Sequence, residues 1–421
     1  MSSNEYRNYA ELKKIDDFEL YIENKLITEV VIDDSFIDSV KLHDNGVGIR
    51  TIKKGLLGTS SHTFNNKVGI YKGIDDSIIN GEFSFQTMKN FSLNKEYYAK
   101  EGIIEDNIHE QINLLRCIFN SNNIIVHLKH EQIQVELITF SSHILNYAGW
   151  YELSIYDKLL NENNSFYFKK LENIQEIFSI YPCINRKNFL YVQTISYELI
   201  EIESKVNSSL LKLLGDMFLY KENSFSEIEL GKKAFSEKLS IYDNGIIQRL
   251  DNFNKFDIEG TVKKSNQLIN KGVITNQLYS LYDSQKNNKE ATGNAIRLNY
   301  NFLPKIDHNC LYQIEGDKEK YLRLINGCKI LRIKEIKDNT FLNNPNTGEF
   351  EGIAICDLLC SGKVKYEFFE LYVSGNVYDL YNNIIEVGYY DLNGSHTNKQ
   401  VIAPNMIIES LNVEFVSYIG S

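Results

Sequence analysis

Asp257 and Glu259 in DIEG (257–260), with Gly293, Asn294 and Arg297 in ATGNAIR (291–297), come closest to a catalytic arrangement in this 421-residue chain. Carboxylates two residues apart on an extended segment share a face, and two carboxylates on one face can do acid–base work. No histidine or metal-binding pattern accompanies them, so the plainer reading is a solvated or turn-capping pair. Gly260, Gly293 and Asn294 are turn residues, and Arg297 is suited to pin a carboxylate or a peptide carbonyl. The segment is thus either a candidate acid–base site or a set of structural turns. ATGNAIR has one glycine and is no phosphate loop, since neither GxxxxGK[ST] nor GxGxxG occurs between a strand and a helix.

Other chemistry is sparse. A zincin helix needs two histidines one turn apart beside a glutamate. His109-Glu110 begins that pattern, but Gln111, Ile112, Asn113, Leu114 and Leu115 follow. His127 and His130 fall in a β-like run, where a spacing of three puts the rings on opposite faces. Cys183 has no histidine near it in sequence and reads as a structural thiol, and no GxSxG elbow is present. The net charge of −11 argues against a general affinity for nucleic acid or an anionic membrane, both of which select clustered Lys and Arg. Six cysteines without CxxC spacing, a polar N-terminus and the lack of an apolar run of membrane-spanning length predict a cytoplasmic protein with free thiols.

The elements that must position these residues are mostly strands. Residues 18–62 alternate as a small antiparallel sheet, with Asn45-Gly46 as a hairpin turn. A helix is expected over 106–119, a strand over 124–140 and a helix over 204–220. QLINKGVI reads as a hairpin turning at 270–272, and Asp317 caps a helix that stops at Gly327. Residues 363–388 read as a strand, a turn and a helix whose stripe is Val377, Leu380, Tyr381, Ile384 and Ile385. The fold class is α+β, with mixed, mostly antiparallel sheets and flanking helices. A composition shift near residue 225 divides an N-terminal α+β domain, 1–225, from a β-rich C-terminal domain, 226–421.

From residue 228 onward the chain resembles the TldD/PmbA family, the "modulator of DNA gyrase" proteins. LSIYDNG (239–245), FDIEGTVKKSNQLINKGVI (256–274), ATGNAIR (291–297), LYQIEGDKEKYL (311–322), NPNTGEFEGIA (344–354), ELYVSGNVYDLYNNIIEVG (370–388) and VIAPNMIIESLNV (401–413) look like its successive blocks. GVGIRTIKKGLLGTSS (46–61) looks like its N-terminal glycine signature, while residues 62–225 match poorly. The resemblance implies a two-domain architecture of that family's kind. TldD-like members carry an HExxxH zinc motif on a helix, and PmbA-like members, also called TldE, lack it. This chain contains no HExxxH, and the segment most like that helix, Lys205–Tyr220, has no histidine. The resemblance therefore implies a non-catalytic TldE-like subunit with no cofactor of its own. It would pair with a zinc-bearing, TldD-like HExxxH chain as a heterodimer or higher oligomer, the pair would process unstructured peptides or peptide precursors, and Asp257, Glu259, Gly260, Gly293, Asn294 and Arg297 would be structural turns or the wall of its peptide channel. A stand-alone peptide-binding or scaffold homodimer is the alternative. Neither reading requires nucleic acid or a membrane.

Overall fold

The computed structural model describes residues 3–33, 37–63, 67–82, 88, 91, 96–98, 124–157, 162–168, 196–220, 229–246, 255–337, 340–389 and 401–415. The helix expected over 106–119, Cys117 and Cys183 lie outside the described residues. The fold is α+β with mostly antiparallel sheets. The chain divides into two compact units that alternate along the sequence. The first comprises Met1–Glu176, Ile246–Lys264 and Tyr279–Asp307; the second comprises Ile177–Gly245, Ser265–Leu278 and His308–Ser421. This differs from the single boundary expected near residue 225. The physical reason is that DIEG and ATGNAIR, late in sequence, take their hydrogen-bond and ionic partners within the first unit.

The first unit is built on a seven-stranded sheet. Its order is β3 (Leu56–His62), β2 (Ile37–Lys53), β1 (Asp17–Ile32), β5 (Ile124–Thr139), β6 (His143–Asp157) and β4 (Glu96–Tyr98), with β7 (Glu162–Phe168) also on β6. Phe18, Leu20 and Ile22 alternate along β1 and bury against α1 (Ser3–Leu12) and α2 (Lys67–Glu82) through Tyr6, Ala10, Ile70 and Ile74. These two helices are not evident from the sequence. A short α4 (Leu281–Lys286) and the two-stranded ribbon β12 (Ala295–Ile296) and β13 (Lys305–Ile306) complete the unit.

The expected hairpin at Asn45-Gly46 is not there. β2 runs straight through it, with Asn45 opposite Asn24 and Gly46 opposite Glu23. The chain turns instead at Lys54-Gly55, both in the left-handed region (φ 52° and 76°). Gly46 has another use: a Cβ there would lie 2.2 Å from the Tyr300 ring. Close packing, not turn formation, selects the glycine.

The second unit holds two sheets. One has the order β11 (Val273–Ile274), β10 (Ser265–Asn270), β9 (Ile241–Asn244), β14 (Leu311–Gln313) and β20 (Val401–Ile402). The other has the order β19 (Ile384–Val387), β21 (Met406–Ile408), β8 (Leu199–Ile202), β15 (Lys329–Ile336), β17 (Glu349–Cys360), β18 (Lys363–Asn376) and β22 (Asn412–Phe415), with β16 (Leu342–Asn344) on β17. The helices are α3 (Ser204–Gly215), α5 (Lys318–Gly327) and α6 (Val377–Asn382). The β10–β11 hairpin turns at Lys271-Gly272 as expected, with φ 46° and 78°. Asp317 caps α5 by accepting from the Glu319 and Lys320 amides.

The helix expected to run to Ile385 ends at Asn382, and Ile384–Val387 is a strand. Asn382-Asn383 breaks it, and the main chain beyond gains partners in Ile408, Ile407 and Met406. None of the described helices is long and apolar enough to cross a membrane.

Candidate functional site

DIEG is a turn, not an extended strand, and its two carboxylates part company. Gly260, at φ 74°, closes the turn by donating its amide to the Asp257 carbonyl at 2.9 Å. Asp257 Oδ1 accepts from the Glu259 and Thr261 amides at 3.0 and 2.8 Å. Its Oδ2 accepts from the Ala295 amide at 3.0 Å, joining DIEG to TGNAIR. Burial, and then the neighbouring Glu259 carboxylate, pushes the Asp257 pKa up to about 7. Gly293 sits at φ 78°, where a Cβ would lie 2.6 Å from the Val262 carbonyl oxygen. Asn294 bridges β12 and β13: its side-chain amide donates to the Asp307 carbonyl at 3.1 Å, and its carbonyl accepts the Asp307 amide.

Glu259 turns the other way, into a buried ionic network. Its Oε1 accepts from Arg50 Nη1 at 3.0 Å and its Oε2 from the Leu281 amide at 2.7 Å. Arg50 also donates through Nε to Glu19 Oε1 at 2.9 Å and through Nη2 to Glu19 Oε2. Arg297 Nη2 donates to Glu19 Oε1 at 2.6 Å. The four side chains are between 1% and 4% exposed. Two guanidiniums and two carboxylates cancel, which lets the group stay buried without leaving an uncompensated charge. Arg297 lies over the Tyr21 ring at 4.5 Å and Arg50 over the Phe91 ring at 4.8 Å. Burial and then Glu23 hold the Tyr21 phenol well above its ordinary pKa; its hydroxyl donates to Glu23 at 3.0 Å.

The six sequence candidates are thus brought together, with Arg297 pinned to a carboxylate. The geometry is that of a lock joining β1, β2, the 257–260 turn and β12. Every carboxylate oxygen of Asp257, Glu259 and Glu19 has a donor in the chain, and an occupied carboxylate is not poised to take a substrate proton. Sequence reasoning missed Glu19, Arg50, Tyr21 and Glu23. The available signal was a full charge inside strands otherwise suited to burial, FELYIE and GIRTI; Glu19 and Arg50 are direct cross-strand partners.

The histidines of β5 are structural in their contacts. His130 stacks on Tyr151 at 4.1 Å, and His127 Nε2 lies 3.9 Å from Glu29.

Of the described helices in the second unit α3 is the most buried, and SKVNSSLLKLLG contains no His, Cys, Asp or Glu. Asn207 is its hub. The side-chain amide donates to Gln313 Oε1 at 3.0 Å and to the Pro404 carbonyl at 2.6 Å, and its oxygen accepts from Tyr381 Oη at 2.7 Å. Ser204 Oγ donates to the Ala403 carbonyl at 2.7 Å. Just past the helix, His308 Nε2 lies 3.5 Å from Asp216 and its Nδ1 3.9 Å from Asp243. Asp243 is committed to the Asn309 and Cys310 amides at 2.9 and 3.1 Å.

Glu203, ahead of the helix, has its pKa raised to about 7, chiefly by burial, with Arg332 opposing. Burial also pushes the Cys356 thiol up, away from the thiolate that a nucleophile needs. Among the described residues no group of three His, Cys, Asp or Glu side chains converges as a metal-ion cage. α3 itself supplies neither imidazole nor carboxylate, the ligands a catalytic zinc takes.

A family model described as the PmbA/TldA metallopeptidase C-terminal domain matches residues 201–414. An uncharacterised protein of Methanocaldococcus jannaschii is 24% identical over 403 residues, 86% of this chain and 88% of that protein. A protein named metalloprotease PmbA homolog from Buchnera aphidicola subsp. Baizongia pistaciae is 24% identical over 205 residues, 49% of this chain and 43% of that protein. A solved structure from Thermotoga maritima, described as a modulator of a DNA gyrase, superposes with a TM-score of 0.76 at 17% identity, covering 98% of this chain and 99% of that one. TldE from Thermococcus kodakarensis gives 0.71 at 15% identity, covering 98% and 100%. At those identities the structural likeness speaks to fold alone.

Proposed function

The chain belongs to the PmbA/TldD family, and on that premise we propose that it is the non-catalytic, TldE-like subunit of a two-chain zinc metallopeptidase acting on unstructured peptides or peptide precursors. The observation that carries the proposal is α3. This helix is the counterpart, by sequence resemblance, of the family's zinc helix. It is buried along most of its length, is organised by an uncharged Asn207 hub, and offers no His, Cys, Asp or Glu that could hold zinc. The zinc and the general base belong to the partner chain, a TldD-like protein with HExxxH. This chain's contribution is a scaffold and a peptide-binding surface.

The test is co-expression with the HExxxH-bearing homologue of the same organism. The pair is expected to co-purify and to cleave an unfolded peptide at least tenfold faster than the two separate chains together. Loss of activity on chelation should track metal content in the partner alone. Stoichiometric zinc in the isolated chain, or peptidase activity without the partner, contradicts the proposal.

A further inference from the structure

Among the described residues the first unit carries an unpaired sheet edge beside an apolar loop. β2 pairs with β1 from Ile37 to Ile52, but with β3 only from Val47 to Lys53. Among the described residues no strand pairs with the outer side of Asp38–Gly46. The β1–β2 register is unbroken there, with no bulge, and the stretch has no proline. Edges this long are ordinarily blunted by bulges, prolines or charged side chains; only the last are present here, in Asp38, Lys41 and Asp44.

Side chains alternate, so Asp38, Val40, Leu42, Asp44, Gly46 and Gly48 share one face. Val40 and Leu42 are 45% and 49% exposed. Further along the same face the 297–304 loop is seated on the two glycines. A Cβ at Gly46 would strike the Tyr300 ring, and one at Gly48 would lie 2.3 Å from Arg297 Nη1. Tyr300 is buried with Tyr21, Leu137 and Phe256, and its hydroxyl is hydrogen-bonded to Asp44. Asn299 closes the tip through the Asn301 and Phe302 amides. The loop is therefore held at its base while Leu298, Phe302 and Leu303 remain at least half exposed. An open edge and an apolar strip thus share β2, next to the loop that carries these exposed apolar side chains.

We propose that this edge binds an extended peptide by strand addition, the peptide presenting apolar side chains at alternate positions flanked by Lys or Arg. This rests on the peptide-processing role proposed above and names the surface and the substrate chemistry. Main-chain groups of the edge supply affinity without sequence demand, and alternate side chains supply the selection. Val40 and Leu42 select the apolar pair. Asp38 and Asp44, two residues beyond on either side, select the cations. The nearest cation on this face, Lys25, is already taken by Glu131 at 2.6 Å. A second copy of β2 is a poorer occupant: centred on Lys41, the antiparallel pairing sets Lys41 against Lys41 and Asp38 against Asp44.

The experiment uses the full chain without a partner and a labelled Lys-Ser-Leu-Ser-Leu-Ser-Lys peptide, with Glu in place of both Lys as the control. Binding by anisotropy and amide exchange across the chain are read together. The expected result is protection confined to residues 38–46, at least tenfold weaker binding by the Val40→Lys/Leu42→Lys variant, and several-fold weaker binding by Asp44→Asn. These positions are surface-exposed or edge-lying, and unchanged melting of both variants confirms that they fold. Equal binding by the double variant, protection elsewhere, or a peptide-independent dimer protected at 38–46 overturns the inference. The two proposals fail separately. Binding at the edge with an inactive pair sinks only the subunit role; an active pair whose cleavage of this peptide is unaffected by Val40→Lys/Leu42→Lys sinks only the edge.

Discussion

Each unit ties together segments distant in sequence, and one buried cluster in each does it with opposite chemistry. In the first, Glu19, Arg50, Glu259 and Arg297 form a buried, balanced ionic lock. In the second, Asn207 joins α3 to Gln313, Pro404 and Tyr381 with neutral groups alone. A full lock is costly to break, because removing one member strands its partners as uncompensated charges. A neutral hub is cheaper to break and equally specific in geometry. The helix that corresponds, by resemblance, to a metal-binding helix is thus tied in by a neutral hub, while charged ties of the second unit, such as Arg332–Glu201 at 2.6 Å, lie outside that hub.

The sharpest test of this contrast is Arg50→Ala, which leaves Glu19 and Glu259 short of a cation. A loss of ~3–5 kcal/mol is expected, enough to unfold most of the first unit; urea unfolding followed by amide exchange assigns the loss to its residues. Arg297→Ala should cost about 1 kcal/mol less, since Glu19 keeps Arg50. Asn207→Ala should cost ~1–3 kcal/mol and lower protection in the second unit only. If Asn207→Ala proves more damaging than Arg50→Ala, the contrast is wrong.

A smaller effect concerns pH. Glu203 is raised from the ordinary value of 4.5 to about 7, so the folded state holds its proton more tightly than the unfolded chain. Its contribution to stability is full below pH 4.5, declines as pH rises toward 7, and is flat above that. Glu203→Gln should therefore flatten the fall in stability between those limits; an unchanged slope would show that Glu203 does not titrate there. Smallest of all is Glu319→Gln on α5. Its pair with Arg323 joins side chains 84% and 78% exposed, and no measurable change in melting is expected.

Local patterns carried much of this structure. The alternation in FELYIE, the Asp317 cap and the Lys271-Gly272 turn can be read from neighbouring residues alone. The errors arose where distant residues decide. Gly46 looks like a turn residue until Tyr300, far along the chain, claims the space a Cβ would fill. Ile384 and Ile385 fit a helical stripe until Met406–Ile408 offers a strand to pair with. Arg297 could be read as pinning a carboxylate, but Glu19 lies 278 residues away, and no spacing rule names it.

The central claim is that this chain needs a zinc-bearing partner. Peptidase activity on one unfolded peptide, measured for this chain, its HExxxH homologue and the mixture, tests it most directly. Activity in the mixture is expected to be at least tenfold above the two chains summed, with zinc in the homologue only. Activity of this chain alone, or a mixture no better than the sum, contradicts it.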